Sequence, residues 1–312
     1  MKKIFLLLLA ISVLFLLNYF FNQSNTNKNL ENSLFSDVIK SSRNFNYIKF
    51  TKDNNVTLVK KNKNWEIVEI GNYFSESKSV MSYLNKIIMS KVLDRYDVHD
   101  AKKNVLGFDD SNSALITLNN NLNSNKINLK IGNYNENLDY SYVLFEDVIY
   151  KLSGDIRFSD DSYYWAQKMV LDVGVDFITD ISIDNLNSKF SFHNKNDVFY
   201  LKPSNIEINK DQVYSILNSF SDLYAEDIIY PKLKPNKKSK KINVSLYLID
   251  GVIIKITIFQ KDHLVYMNID SVKKGHSLLF DSYMTRFTQD WTYVIPNLVF
   301  ENLLISKKDL IK

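Results

Sequence analysis

Four histidines, His99, His193, His263 and His276, are the side chains best suited to proton transfer near neutral pH. None stands in H-x-x-x-H or H-E-x-x-H spacing, so a histidine-ligated metal has no signature here. Gly275-His276-Ser277 sets a histidine beside a serine, but neighbours along a strand point to opposite faces. There is no G-x-S-x-G, no G-x-G-x-x-G and no G-x-x-x-x-G-K-[ST]. The commonest serine-hydrolase elbow and the glycine cradles for phosphate are therefore missing. Two carboxylate pairs occur, Asp109-Asp110 and Asp160-Asp161. Glycoside chemistry needs two carboxylates facing each other across a cleft. Both pairs lie in polar loop contexts, where Asp makes turns and helix caps, and Asp109-Asp110 lacks the ligand spacing of an EF-hand. The chain has no cysteine, which excludes disulfides, thiolate zinc sites, iron–sulfur clusters and thiol catalysis. The expectation is a non-enzymatic protein with no catalytic residues, no metal and no cofactor.

One charged cluster stands out. Lys232, Lys234, Lys237, Lys238, Lys240 and Lys241 crowd into KLKPNKKSKK, where Pro231 and Pro235 oppose regular structure. Such a run reads as a solvated loop. Its functional alternative is contact with anionic headgroups, a polyanionic wall polymer or an acidic partner. Aromatic residues are abundant, with 19 Tyr and 20 Phe. They read as sheet formers packed against helices, with a stacking platform for sugars or bases as the alternative. Trp65, Trp165 and Trp291 read as core or inter-repeat packing at comparable places in two halves of the chain.

The elements that must position these residues come twice. The first half opens with strand-like Tyr47–Thr51, Val56–Val59 and Trp65–Val68. Val80, Met81, Leu84, Ile87, Ile88 and Val92 then follow a helical period, with Ser75 or Ser77 available as a cap. The second half opens with Ile181–Ile183, Phe190–Phe192 and Phe199–Leu201. Its helix begins after Asn209, with Gln212 completing an approximate capping box, and its apolar face is Val213, Ile216, Leu217, Phe220, Leu223 and Tyr224. Ile48 to Ile181, Val80 to Val213 and Leu84 to Leu217 share an offset of 133, and Trp65 to Phe199 is one residue out. Strand runs follow each helix: 114–118, 126–131, 142–145 and 148–152, then 242–248, 252–259, 264–269 and 277–280. Their alternation suits half-buried antiparallel strands. Each half closes on a tryptophan segment, Tyr163–Trp165 or Trp291–Tyr293. The fold class expected is α+β: an N-terminal transmembrane helix, then two tandem repeats, each an antiparallel sheet with one amphipathic helix. The expected boundaries are 1–24 for the anchor, 25–43 for a linker, 44–175 for the first repeat and 176–312 for the second.

The anchor is an apolar run of eighteen residues from Ile4 to Phe21, preceded by Lys2-Lys3. As a helix it reaches about 27 Å, close to the hydrocarbon thickness. A cleaved signal peptide is the alternative. The run is longer than the usual apolar core of such peptides, and Asn22–Thr26 offers no Ala-x-Ala site. The two lysines favour a cytoplasmic N-terminus, placing the body in the periplasm of a bacterial inner-membrane, single-pass protein. Over the whole chain 39 Lys and Arg face 35 Asp and Glu; without Lys2 and Lys3 the balance is +2. That near-neutral body argues against nucleic acid as a partner. With 312 residues, 7 Gly and 4 Pro, the chain is also neither collagen-like nor a linker array.

The organisation resembles the bacterial domain-of-unknown-function family number 4340. The residues that carry it are Asn64–Val68 before an amphipathic helix, and Leu106-Gly107-Phe108-Asp109 leading into Ala114–Leu118. They continue through Leu129–Asn133, Tyr142–Phe145, Val148–Leu152, Tyr164–Met169 and Trp291–Pro296. Their order over most of the body carries the likeness. A departure is Ile70–Phe74, where a proline-rich turn is expected. The resemblance implies a single-span, membrane-anchored protein, some of whose relatives look like companions of ABC-type export systems. The functional expectation is thus a non-enzymatic periplasmic accessory or scaffold, associated with integral ABC transporter subunits. The rivals are an envelope polymer- or lipid-binding module, and a hydrolase with a dispersed site.

Overall fold

A computed structural model of the chain describes residues 45–311, apart from 99, 110–112, 120–125, 196–197, 237–238 and 274–289, with 100–102 described as backbone only. The expected anchor (1–24) and linker (25–43) lie outside the described residues. So does the expected strand 277–280. Among the described residues no helix is long and apolar enough to cross a membrane, a statement that does not bear on strands.

The fold is mostly antiparallel sheet with few helices, arranged as two large sheets. It divides into two compact units. One comprises the chain up to Glu66 together with Ser77–Trp165; the other comprises Ile67–Glu76 and the chain from Ala166 onward.

The first nine strands are β1 (Tyr47–Thr51), β2 (Asn55–Lys61), β3 (Asn64–Ile67), β4 (Tyr73–Phe74), β5 (Val92–Asp97), β6 (Ala114–Asn119), β7 (Ile127–Asn135), β8 (Tyr140–Phe145) and β9 (Val148–Ser153). They form one sheet in the order β4-β3-β2-β1-β6-β7-β8-β9-β5. Helix α1 (Ser77–Met89) enters between β4 and β5, and α2 (Asp100–Val105) and α3 (Ser162–Trp165) follow β5 and β9. β1 alternates cleanly, burying Ile48 and Phe50. Its pairing aligns these with Leu58 and Val56 on one side and Leu118 and Ile116 on the other, so one apolar face runs across the strands. Helix α1 covers that face with Val80, Tyr83, Leu84 and Ile87. Val92 is not helical; it opens β5.

The remaining strands are β10 (Met169–Leu171), β11 (Ile178–Asp184), β12 (Lys189–Lys195), β13 (Val198–Lys202), β14 (Ile206–Glu207), β15 (Leu223–Tyr224), β16 (Asp227–Ile229), β17 (Lys240–Leu248), β18 (Ile253–Lys261), β19 (Leu264–Lys273) and β20 (Thr292–Ile295). β10 and β15 pair alone. The others form a sheet in the order β14-β13-β12-β11-β17-β18-β19-β20-β16. This is the strand order of the first sheet. Helix α4 (Lys210–Asn218) stands where α1 stands in the first half, and α5 (Asn297–Leu303) follows β20.

Asn209 caps α4, its side chain accepting the Asp211 N–H. The capping box is only half made, because Gln212 Oε1 is buried without a hydrogen-bond partner among the described residues. Val213, Ile216 and Leu217 form the helical face as expected. Leu223 and Tyr224 lie beyond the helix in β15, since α4 ends at Asn218.

The tryptophans are all buried but do not occupy matching places. Trp165 ends the helical turn α3 after β9, whereas Trp291 precedes β20, the topological counterpart of β9. Their resemblance as closing segments is a coincidence of composition. The Ile70–Phe74 segment turns without proline, through positive φ at Gly71 and Asn72. The Gly71 N–H closes that turn on the Val68 carbonyl.

Candidate functional site

The Asp160-Asp161 pair does structural work. Asp160 Oδ2 accepts the backbone N–H groups of Asp53 and Asn54 at 3.1 and 3.0 Å, holding the β1–β2 turn. Asp161 Oδ1 accepts the Tyr163 N–H and so starts α3. Asp110 lies outside the described residues. Of the histidines, His99 and His276 also lie outside them. His193 stands on β12 beside Tyr200, with ring centroids 5.6 Å apart. His263 sits exposed in the β18–β19 turn at φ +68°. Neither lines a groove described below, and no group of three or more His, Asp or Glu is placed to hold a metal among the described residues.

The lysine cluster is split by the fold. Lys237 and Lys238 are outside the described residues. Lys234, Lys240 and Lys241 are exposed, the last two opening β17. Lys232 is different: its Nζ donates to the Ile269 carbonyl at 3.0 Å and meets Asp270 at 3.3 Å. The reason is the sheet face beneath it. Ile229 and Leu233 pack on Phe259, Tyr266 and Val294. The Leu233 N–H donates to Thr292 Oγ1, whose hydroxyl donates to Asn268 Oδ1, and Asn268 Nδ2 donates back to the Leu233 carbonyl. This closed ring clamps the segment onto β19 and β20. Lys232 is thus tied to the sheet, whereas Lys234, Lys240 and Lys241 are exposed.

Two grooves lie beside the helices, one in each unit. The first lies where α1 meets the 157–165 segment. It has a volume of about 320 Å³ and is lined by Lys78, Ser79, Ser82, Tyr83, Lys86, Arg157, Phe158, Ser159, Tyr164 and Trp165. Its floor is rigid. Trp165 stacks on Phe50 at 4.8 Å and 10°, and its Nε1–H donates to the Ser159 carbonyl at 2.8 Å. Tyr83 meets both rings edge-on and donates its hydroxyl to the Ile156 carbonyl. Burial, then the nearby Asp155 charge, push that hydroxyl well above its ordinary pKa, so it stays a donor. Tyr164 stands half exposed against Trp165, 5.0 Å between centroids. Arg157 is fixed by a two-point contact with Asp155, Nε to Oδ1 and Nη2 to Oδ2 at 3.0 Å each, and lies 4.5 Å over the Tyr134 ring. Burial raises the Asp155 carboxyl, but bonds from Arg157 and the more distant Lys86 charge outweigh it and hold the group below its usual range.

The second groove lies where α4 meets α5. It measures about 550 Å³ and is lined by residues that include Ser215, Ser219, Asp222, Tyr224, Leu298 and Asn302. Ser215 and Ser219 stand at the offset of 133 from Ser82 and Lys86. Here the polar groups satisfy one another. Asn302 Nδ2 donates to the Ser215 carbonyl and to Ser219 Oγ, while Ser219 donates to the Ser215 carbonyl. This groove is a helix–helix seam. The first has three cations and no carboxylate in its lining; the second has one carboxylate and no cation. Sequence reasoning missed the first groove because Lys78 and Lys86 come from α1 while Arg157 comes from a segment far along the chain. The one available signal was Lys78 and Lys86 flanking Ser82 on the polar side of α1.

Comparison with known proteins finds no matching family model, no similar curated protein and no similar solved structure.

Proposed function

We propose that this chain is a non-enzymatic, membrane-anchored accessory or scaffold protein of the bacterial cell envelope. In this reading residues 4–21 cross the inner membrane once and the body stands in the periplasm, beside integral subunits of an ABC-type transport system. The body arose by internal duplication, each repeat a sheet with one amphipathic helix. The observation that carries the reading is the shared strand order of the two nine-stranded sheets, which agrees with the offset of 133 between their helices. Duplicated sheets supply broad repeated surfaces for partners, and Asp160 and Asp161 serve the backbone around them. The transporter association rests on the residue pattern read in the sequence alone, which no family model matches. Crosslinking in intact cells, gentle solubilisation and identification of the co-purifying chains test it. Permease or related envelope subunits are expected, and recovery of the protein alone from well-solubilised membranes would overturn it.

A second reading, an envelope polymer- or lipid-binding module, is favoured by the cationic lining of the first groove.

A further inference from the structure

We infer that the groove between α1 and the 157–165 segment is a phosphate-binding site, and that its counterpart in the second unit is not. The inference deepens the binding-module reading and rests on it. Lys78, Lys86 and Arg157 bring three positive charges to one concave wall, interleaved with the hydroxyl-bearing Ser79, Ser82 and Ser159. Lysine ammonium groups and serine hydroxyls suit a phosphate, which offers several acceptor oxygens and accepts point charges from different directions. Asp155 engages Arg157 from behind through Nε and Nη2, fixing the guanidinium plane. Lys86 has no carboxylate within ion-pair distance among the described residues. The side chains of Ser79 and Ser82 make no hydrogen bond to another described group, unlike Ser215 and Ser219 in the second groove. The volume of about 320 Å³ admits a phosphate and a small attached polyol. The half-exposed Tyr164 ring, steadied by Trp165, offers an apolar flank for that polyol.

The counterpart positions argue the same point by contrast. At the offset of 133, Lys78 corresponds to Asp211 and Lys86 to Ser219. One unit therefore has a cationic groove where the other has neither lysine and has its Ser219 hydroxyl bonded by Asn302.

The test uses the full-length protein in neutral detergent micelles, with glycerol phosphate and phosphatidylglycerol-doped micelles as separate probes in titration calorimetry. The variant K78S/K86S is compared with K240S/K241S, which removes the same charge from β17. Binding of either probe is expected to weaken about tenfold or more in K78S/K86S and to change little in K240S/K241S. Response to glycerol phosphate alone would identify a soluble source of the phosphate; response to doped micelles alone would identify a headgroup. Equal weakening in both variants, or no binding of either probe by the unaltered protein, would overturn the site. Retention on purified wall polymer that is lost only in K240S/K241S would overturn the groove while leaving the binding-module reading standing.

Discussion

Asp155 and Arg157 show how a surface pair acquires a pH signature. The Asp155 carboxyl is pushed up by burial and pulled down further by Arg157, with a net lowering. A lowered folded value means that the stabilisation is present above the unfolded value and lost as pH falls through the folded one. The stability difference between the protein and its Asp155→Asn variant should hold steady from neutrality to about pH 4 and shrink below it. Thermal melts across that range check this, and a difference undiminished at pH 2 would contradict it. Arg157 is half exposed, so the effect is modest. Gly132 tests packing at the same scale. A Cβ there would lie 2.3 Å from the Leu106 carbonyl oxygen and 2.9 Å from the Phe108 ring. The Asn133 N–H already donates to that carbonyl at 2.8 Å, so the backbone has little room to retreat. Gly132→Ala should destabilise by about 1–3 kcal/mol, read from the urea midpoint of the full-length protein in detergent. An unchanged midpoint would mean that the Leu106–Phe108 segment is not held where it is described.

At the scale of elements, the segment leading into β17 decides which lysines are free. Prolines and lysines predict an irregular, charged stretch, and the described residues between β16 and β17 form no helix or strand. Whether that stretch floats or lies down depends on the sheet beneath it. The polar row Asn268 and Thr292, beside the apolar Phe259, Tyr266 and Val294, is what clamps it. Lys232→Ser should therefore lower stability by about 1 kcal/mol, while Lys234→Ser should leave it unchanged. Parallel melting curves check the pair, and equal effects would remove the distinction between clamp and surface lysines. The helices divide similarly. Asn209 before Lys210–Asn218 is recognisable as a cap from residue type alone. The failure of Gln212 to complete the box is not, because it depends on where the neighbouring chain leaves that side chain.

For the whole molecule, duplication and membrane placement are the claims to test. The two sheets repeat one strand order, including the long-range step that places β5 and β16 at the far edge, beside β9 and β20. Two unrelated antiparallel sheets would have to reproduce that crossover independently. If the body stands in the periplasm, protease added to spheroplasts should digest it while cytoplasmic markers survive. A body protected until the membrane is broken would reverse the proposed orientation.

Periodicity and offset alone determined most strands, both long helices, the antiparallel pairing class and the near-constant spacing between halves. These follow from local rules: alternation is two residues, a helical face recurs every 3.6, and both are written along the chain. The apolar run at residues 4–21 likewise needs only composition to be read. Tertiary structure decided what depends on distant neighbours. It separated Trp165 from Trp291, which look alike in sequence but lie on opposite sides of equivalent strands. It tied Lys232 to the sheet, because Ile269 and Asp270 reach it across 37 and 38 positions. It also assembled Lys78, Lys86 and Arg157 on one wall. No spacing rule links residues separated by some seventy positions; only the closure of the sheet and the docking of a helix bring such charges together.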